Sequence, residues 1–332
     1  MAIFSSFVMD RNDHSFGFSF AMEKMKREKV ITTLAHRSAV NRAVDYIEDN
    51  ICEKLELDRI AAEANLSKYH FLRVFKTLTG ETPIQFINRI RLEKIASILL
   101  SRPADDISSI AAEFGMTDLS AFSKAFRKQF GISATQWRNQ HNDFSPDEEL
   151  FSRTKGLKEV LSSHDSLYIS DYNVENKSIE LITVESFTVE YIRYTGSYIR
   201  TDNLFEEIWA KLYAIADVRG YMDEPEFKTL VVYHDDPQMT PADKQRLSFC
   251  ITVPDKDVSN SLDRLIIPGG KYLVFKFELP QEKFILAWAW VMNWLPGKAY
   301  EPDTRYCYEV YTESQTEGLM GIDIYFPVRT SV

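Results

Sequence analysis

The feature that most constrains this chain is an internal duplication. Ile60-Ala61-Ala62-Glu63 recurs 50 residues later as Ile110-Ala111-Ala112-Glu113. Beyond that tetrapeptide, Phe71, Phe75, Gly80, Thr82, Gln85 and Phe86 are answered by Phe122, Phe126, Gly131, Ser133, Gln136 and Trp137, now 51 residues apart. Each copy reads as a short helix, a tight turn and a second helix with basic residues on its outer face.

In the first copy, Ser38 to Asn50 has helical apolar spacing through Val40, Ala43, Val44 and Ile47. Asp58 is expected to cap a short helix ending at Ala64, with Asn65 in the turn, where Asn tolerates a left-handed backbone. Ser67 caps the next helix, Lys68 to Leu78. Phe71, Val74, Phe75 and Leu78 are its buried stripe, and Lys68, Tyr69, Leu72, Arg73 and Lys76 lie on the other side. In the second copy, Gly115 fills the turn and Thr117 or Asp118 caps a helix through Gln129. There Phe122, Ala125 and Phe126 face inward, while Ser120, Ser123, Lys124 and Arg127 face out. Between the copies, Pro83 to Leu100 reads as one helix with proline in its first turn. Eighteen residues at ~1.5 Å each give a rod of roughly 27 Å, close to the ~34 Å between successive major-groove faces of a duplex.

Two helix-turn-helix units on one rod make double-stranded DNA the first partner to consider. The net charge of −10 argues against this until its distribution is read. Residues 37–141 carry 15 Lys/Arg against 13 Asp/Glu, whereas residues 142–332 carry 19 against 32. Phosphates sense local charge, and the second helices of both units are basic. The acidic remainder suits a cationic ligand.

Residues 37–141 resemble the DNA-binding domain of the AraC/XylS family of bacterial transcription regulators. The resemblance rests on Ser67-Lys68-Tyr69-His70-Phe71-Leu72-Arg73-Val74-Phe75-Lys76 and on Ala121-Phe122-Ser123-Lys124-Ala125-Phe126-Arg127-Lys128-Gln129-Phe130-Gly131. It implies base contacts from Tyr69, Leu72 and Arg73 in the first unit and from Ser120, Ser123 and Lys124 in the second. Arg73 is the foremost of these, because a guanidinium pairs bidentately with guanine. Lys68, Lys76, Arg127 and Lys128 are expected on phosphate, which positions without specifying. Tyr69 and Leu72 depart from the side chains usual in close relatives, which implies a different sequence preference.

Residues 1–36 are expected to be a disordered extension, with Met22 or Met25 as possible natural starts, and 142–177 a polar linker with one short helix near Leu157 to Leu161. From 178 to 330 the pattern is strand, helix, strand, strand, twice over. The strand-like stretches are Ile179–Tyr194, Phe227–Tyr233, Leu247–Val253, Leu262–Phe277, Arg305–Tyr311 and Ile322–Phe326, and the helices Asp202–Ala216 and Glu282–Leu295. Two βαββ units predict an α+β domain, one antiparallel sheet with both helices on one face. The whole chain is thus expected to be multidomain, an all-α double helix-turn-helix domain followed by that α+β domain.

This second region resembles the GyrI-like effector-binding domain of some multidrug-responsive regulators. The matching pieces are Tyr233-His234-Asp235-Asp236-Pro237, Asp243-Lys244 with Arg246, Pro268-Gly269-Gly270-Lys271-Tyr272, Trp294-Leu295-Pro296 and Tyr308-Glu309-Val310-Tyr311. The resemblance implies a cleft between the two units for a small aromatic or cationic effector, with Glu309 as its acid. Trp209, Phe205, Tyr233, Trp290 and Tyr308 are the candidate aromatic walls. Strand alternation puts Glu309 on the same side as Cys307 and Tyr311. Phe205, Ile208, Trp209 and Leu212, and likewise Ile285, Trp288 and Met292, also read as ordinary core stripes.

The expected protein is a cytoplasmic, effector-responsive transcriptional regulator whose partners are DNA, a small molecule and RNA polymerase. Three scattered cysteines fit a reduced compartment. No apolar run is long enough to span a membrane, and no residue spacing suggests a metal site, a cofactor or a catalytic set. Two alternatives stay open: a GyrI-like hydrolase with Glu309 as general base, and a protein-interaction module whose cleft is filled by side chains. Two motifs per chain remove the need for a dimer.

Overall fold

The structure is a computed structural model and describes residues 34–142, 178–197, 204–236, 239–254, 262–294, 300–303, 305–314 and 316–330. The expected extension up to residue 33, the linker over 143–177 and its short helix fall outside these residues. Residues 34–36, assigned to the extension, are already helical.

The first unit is helical throughout: α1 (34–49), α2 (Leu57–Glu63), α3 (Lys68–Thr79), α4 (Pro83–Ser101), α5 (Ile107–Glu113), α6 (Leu119–Phe130) and α7 (Ala134–Asn142). Asn65 takes φ 53°, and Gly115, its counterpart in the second copy, takes φ 70°. Gly80 and Gly131 end α3 and α6 in the left-handed region that glycine enters without steric penalty. Asp118 caps α6 by accepting from the backbone N–H groups of Ser120 and Ala121. Asp58 does not cap α2. The N-cap is Glu56, without a side-chain bond, and Asp58 in the first turn instead pairs with Lys68 at 2.9 Å. Thr82 and Gln85 close a reciprocal capping box at the start of α4.

Helix α4 is the axis of this unit. Phe86, Ile90, Ile95, Ala96 and Leu99 are buried between the two copies, in one core with Phe71, Phe75, Phe122 and Phe126. It also buries charge: Arg89 bridges Glu81 at 2.7 Å and Glu93 at 3.1 Å. Each carboxylate satisfies one part of the guanidinium fork, which makes burial of the cation tolerable. Burial pushes the Glu93 carboxyl up to about 7 despite Arg89.

The second unit is an antiparallel sheet with two helices: β1 (Ser178–Val184), β2 (Phe187–Thr195), α8 (Leu204–Val218), β3 (Thr229–Tyr233), β4 (Arg246–Thr252), β5 (Asp263–Ile267), β6 (Gly270–Leu279), α9 (Phe284–Trp294), β7 (Tyr300–Pro302), β8 (Cys307–Thr312) and β9 (Met320–Thr330). Eight strands run in the order β1-β6-β9-β8-β3-β4-β2-β5, and β7 pairs with the end of β9.

The βαββ expectation holds with two differences, the first being the added short strand β7. The second is that each leading stretch, 179–194 and 262–277, is two strands rather than one. The chain bends at Glu185-Ser186 and again at Pro268-Gly269, so β1 crosses to pair with β6 while β5 crosses back to pair with β2. Gly269 is required at its bend, because a Cβ there would lie 2.8 Å from the Ser186 backbone nitrogen. The halves meet at the β3–β8 pair, where Val231 faces Glu309 in register.

Both helices cover one face. Helix α9 packs on Phe275, Phe277, Ile322 and Ile324, and α8 on Val231, Leu247, Phe249 and Ile251. The reverse face carries Tyr191, Leu230, Val232, Tyr272 and Tyr308, and it is the face turned toward the helical unit. Among the described residues, no helix is long and apolar enough to cross a membrane.

Candidate nucleic-acid interface and ligand site

Helices α3 and α6 are the second helices of the two motifs, and their outer faces are open. Tyr69 is 87% exposed, an extreme value for an aromatic ring on an ordered helix. Arg73, Lys76, Ser120, Ser123, Lys124, Arg127 and Lys128 are exposed, and Leu72 is half-buried beside Tyr69. Arg73, Lys76, Lys124, Arg127 and Lys128 make no ion pair among the described residues. Lys68 differs, because its ammonium is engaged by Asp58. The phenylalanines at 71, 75, 122 and 126 point the opposite way into the core. Each motif thus separates into a packed apolar stripe and a polar, basic stripe, as the spacing predicts.

The ligand candidates gather around β8. Cys307, Glu309 and Tyr311 face the helices, and Glu309 is only 2% exposed. Its Oε1 accepts hydrogen bonds from the hydroxyls of Tyr233, at 2.8 Å, and Tyr311. Its Oε2 accepts from the indole N–H of Trp288 at 2.6 Å. Tyr233 and Trp288 stand edge to face, with ring centroids 4.8 Å apart. Trp209 meets Tyr311 at 5.6 Å and 88°, and Phe284 stacks on Tyr311 at 5.8 Å. Phe205 sits further out, against Phe249 at 4.9 Å.

Two of the expected aromatic walls are not at this site. Tyr308 is adjacent in sequence to Glu309, and neighbours on a strand point to opposite faces. It packs on the reverse face, stacked on Tyr325 at 4.6 Å. Trp290 is directed onto Phe275 and Phe277 of β6. The indole that reaches Glu309 is Trp288, which helical spacing assigns to a core stripe. Phe284 is the other aromatic that the residue pattern does not single out, whereas Tyr311 stands on the side where strand alternation places it. A buried indole needs an acceptor for its N–H, and that requirement is the signal that marks Trp288.

The charge balance sets Glu309 apart. Glu190, fully buried on β2, is neutralised by Arg219 at 2.6 Å and Arg264 at 3.2 Å. Glu309 receives three donors, all of them neutral, and among the described residues no Lys or Arg pairs with it. Burial raises its pKa, opposed by the hydrogen bonds from Tyr311, Trp288 and Tyr233. The three donors favour the ionised form and burial the neutral one, and burial prevails. No group of three or more His, Cys, Asp or Glu suited to a metal occurs among the described residues.

Comparison with known proteins matches both units separately. Residues 60–140 match a helix-turn-helix domain and residues 177–329 a GyrI-like small molecule binding domain. The MmsAB operon regulatory protein of Pseudomonas aeruginosa is 35% identical over 95 residues, 29% of this chain and 31% of that protein. Regulatory protein SoxS of Salmonella typhimurium is 26% identical over 107 residues, 32% of this chain and 99% of that protein. Transcriptional regulator Rob of the same organism is 22% identical over 241 residues, covering 70% of this chain and 75% of its own. The chain spans about a third of the length of the first curated relatives it matches. The chain thus carries a helix-turn-helix domain followed by a GyrI-like small molecule binding domain.

Proposed function

We propose that this protein is a cytoplasmic transcriptional regulator that reads two successive major grooves through α3 and α6 and answers to a small aromatic cation bound at Glu309. The observation that supports the effector half is the contrast between two buried acids. Glu190 has its guanidinium partners, whereas Glu309 has an aromatic surround and only neutral donors. An aromatic cation supplies the missing charge and stacks on Tyr233, Trp288 and Tyr311, adding cation–π attraction. The support for the DNA half is the paired set of unengaged polar side chains, Tyr69 and Arg73 on α3 and Ser120, Ser123 and Lys124 on α6. Arg127, Lys128 and Lys76 would then hold phosphate, and Lys68 would do so only on leaving Asp58. The relatives' names describe regulators, which favours a binding role over catalysis and makes RNA polymerase a natural further partner.

The test is calorimetric titration of the full chain with benzyltrimethylammonium and with neopentylbenzene, its neutral isostere. Preferential binding of the cation, abolished by Glu309→Gln, is the expected result. Equal binding of both compounds, insensitive to that substitution, would remove Glu309 from the function.

A further inference from the structure

The DNA-binding unit and Glu309 lie on opposite faces of the same sheet, and a set of buried charges joins the unit to that sheet. Asp45 and Glu48, one turn apart on α1, are the helical unit's contribution. Arg193 of β2 reaches Asp45 at 2.7 Å, and the Tyr191 hydroxyl donates to the same carboxylate at 2.6 Å. Arg246 of β4 reaches Glu48 at 2.8 Å, and the imidazole of His234 lies 3.2 Å from it. The side chains of Arg193, His234, Arg246 and Glu48 are all 5% exposed or less. Lys244 extends the pattern to Glu81 at the foot of α4. Arg246 also pairs within its own unit, with the buried Asp235 at 2.6 Å, but in the pairs that cross between the units the acids come from the near-neutral unit and the cations from the acidic one.

This clasp is one residue away from the ligand site. Tyr233 holds Glu309 on the helix face, and His234, the next residue, faces Glu48 on the other. Their Cα atoms are ~3.8 Å apart, the span of one trans peptide. A second link runs through the neighbouring strands. The His234 ring lies within hydrogen-bond distance of Ser248 at 2.8 Å, and Ser248 also accepts from Arg193 at 3.1 Å. The next residue, Phe249, carries Trp209 and Phe205 on the helix face. The clasp is also incompletely satisfied. One terminal nitrogen each of Arg193 and Arg246 is buried without a hydrogen-bond partner. A buried network in that state has little margin, and a small displacement of one member is felt by the others.

Resting on the reading of Glu309 as the effector acid, we propose that the clasp of Arg193, His234 and Arg246 on Asp45 and Glu48 is the device that transmits occupancy of the site to the DNA-binding unit. Movement of Tyr233 on ligand entry shifts His234, and His234 alters the grip on α1, the helix that packs against the first motif. The ligand favours one arrangement of the clasp, and DNA affinity follows that arrangement.

A double-substitution cycle on the full chain tests this without any ligand. DNA dissociation constants are measured for wild type, Glu309→Gln, Glu48→Gln and the double variant. A coupled pair gives a combined effect that departs from the product of the single effects by about threefold or more. Simple multiplicativity overturns the clasp as conduit and leaves the Glu309 reading untouched. The reading of Glu309 fails separately, in the titration with benzyltrimethylammonium. If circular dichroism shows that Glu48→Gln has lost α1, Asp45→Asn takes its place in the same cycle, with the same two outcomes.

Discussion

The indole N–H of Trp288 donates to the buried Glu309 carboxyl at 2.6 Å, so α9, already packed on the sheet through its apolar side chains, is also tied to β8 by a hydrogen bond. Trp288→Phe keeps an aromatic ring but removes the donor, and should lower stability by about 1.5–3 kcal/mol, the range for a hydrogen bond to a charged group. Urea unfolding of the full chain measures this; a loss below about 0.5 kcal/mol would show that the bond contributes nothing net.

Cation affinity at Glu309 should depend on pH with a definite sign. Burial raises the carboxyl above its usual range, so the folded protein holds this proton at pH values where an exposed glutamate has lost it. Affinity for benzyltrimethylammonium should therefore rise as pH increases through and beyond the ordinary carboxylate range, then level off. Calorimetry across pH 4 to 8, as approximate bounds set by the carboxylate reference value, should give a flat profile for Glu309→Gln. A wild-type profile as flat as the variant's would contradict the assignment.

The two classes of basic residue on the DNA face should separate in binding assays. Arg73→Ala should weaken specific binding by roughly 1–3 kcal/mol and relax preference at one base pair. Arg127→Ala should weaken binding evenly on all sequences and reduce the salt slope by about 1. Fluorescence anisotropy over a salt series distinguishes them. An even loss on every sequence for Arg73→Ala would make it a phosphate contact.

The two turns predict opposite responses to substitution. Asn65 at φ 53° is tolerated, so Asn65→Gly should shift stability by no more than about 0.5 kcal/mol. Gly115 sits at φ 70°, and an added Cβ would come 3.3 Å from the Arg91 guanidinium. Gly115→Ala should therefore cost about 1–2 kcal/mol. Thermal denaturation of both variants settles the comparison, and equal losses would refute the shared-turn geometry.

Legibility in the sequence followed the range of the interactions. The duplicated motif, its turns at Asn65 and Gly115, and its buried phenylalanines are set by local spacing and read directly. So does the position of Glu309 with Tyr311, because strand alternation is local. The N-cap of α2 lies two residues before Asp58, within the usual uncertainty of a helix end, and the Asp58 carboxylate pairs with Lys68 instead. Trp288 and Trp290 cannot be ranked from sequence, since both carry helical apolar spacing and only the tertiary packing of α9 decides which reaches β8. The same limit hid the clasp. Arg193, His234 and Arg246 look like ordinary strand residues until α1 is laid against them.

The exchange of β1 and β5 across the sheet has a consequence for how the second unit can be divided. Each half lends its opening strand to the far border of the other, so neither makes a finished sheet by itself. Dissection at the 254–262 connection would strand two unpaired arms instead of releasing two modules. A molecule lodged at the seam between Val231 and Glu309 therefore presses on a single woven fabric, and whatever it displaces is displaced in both halves together.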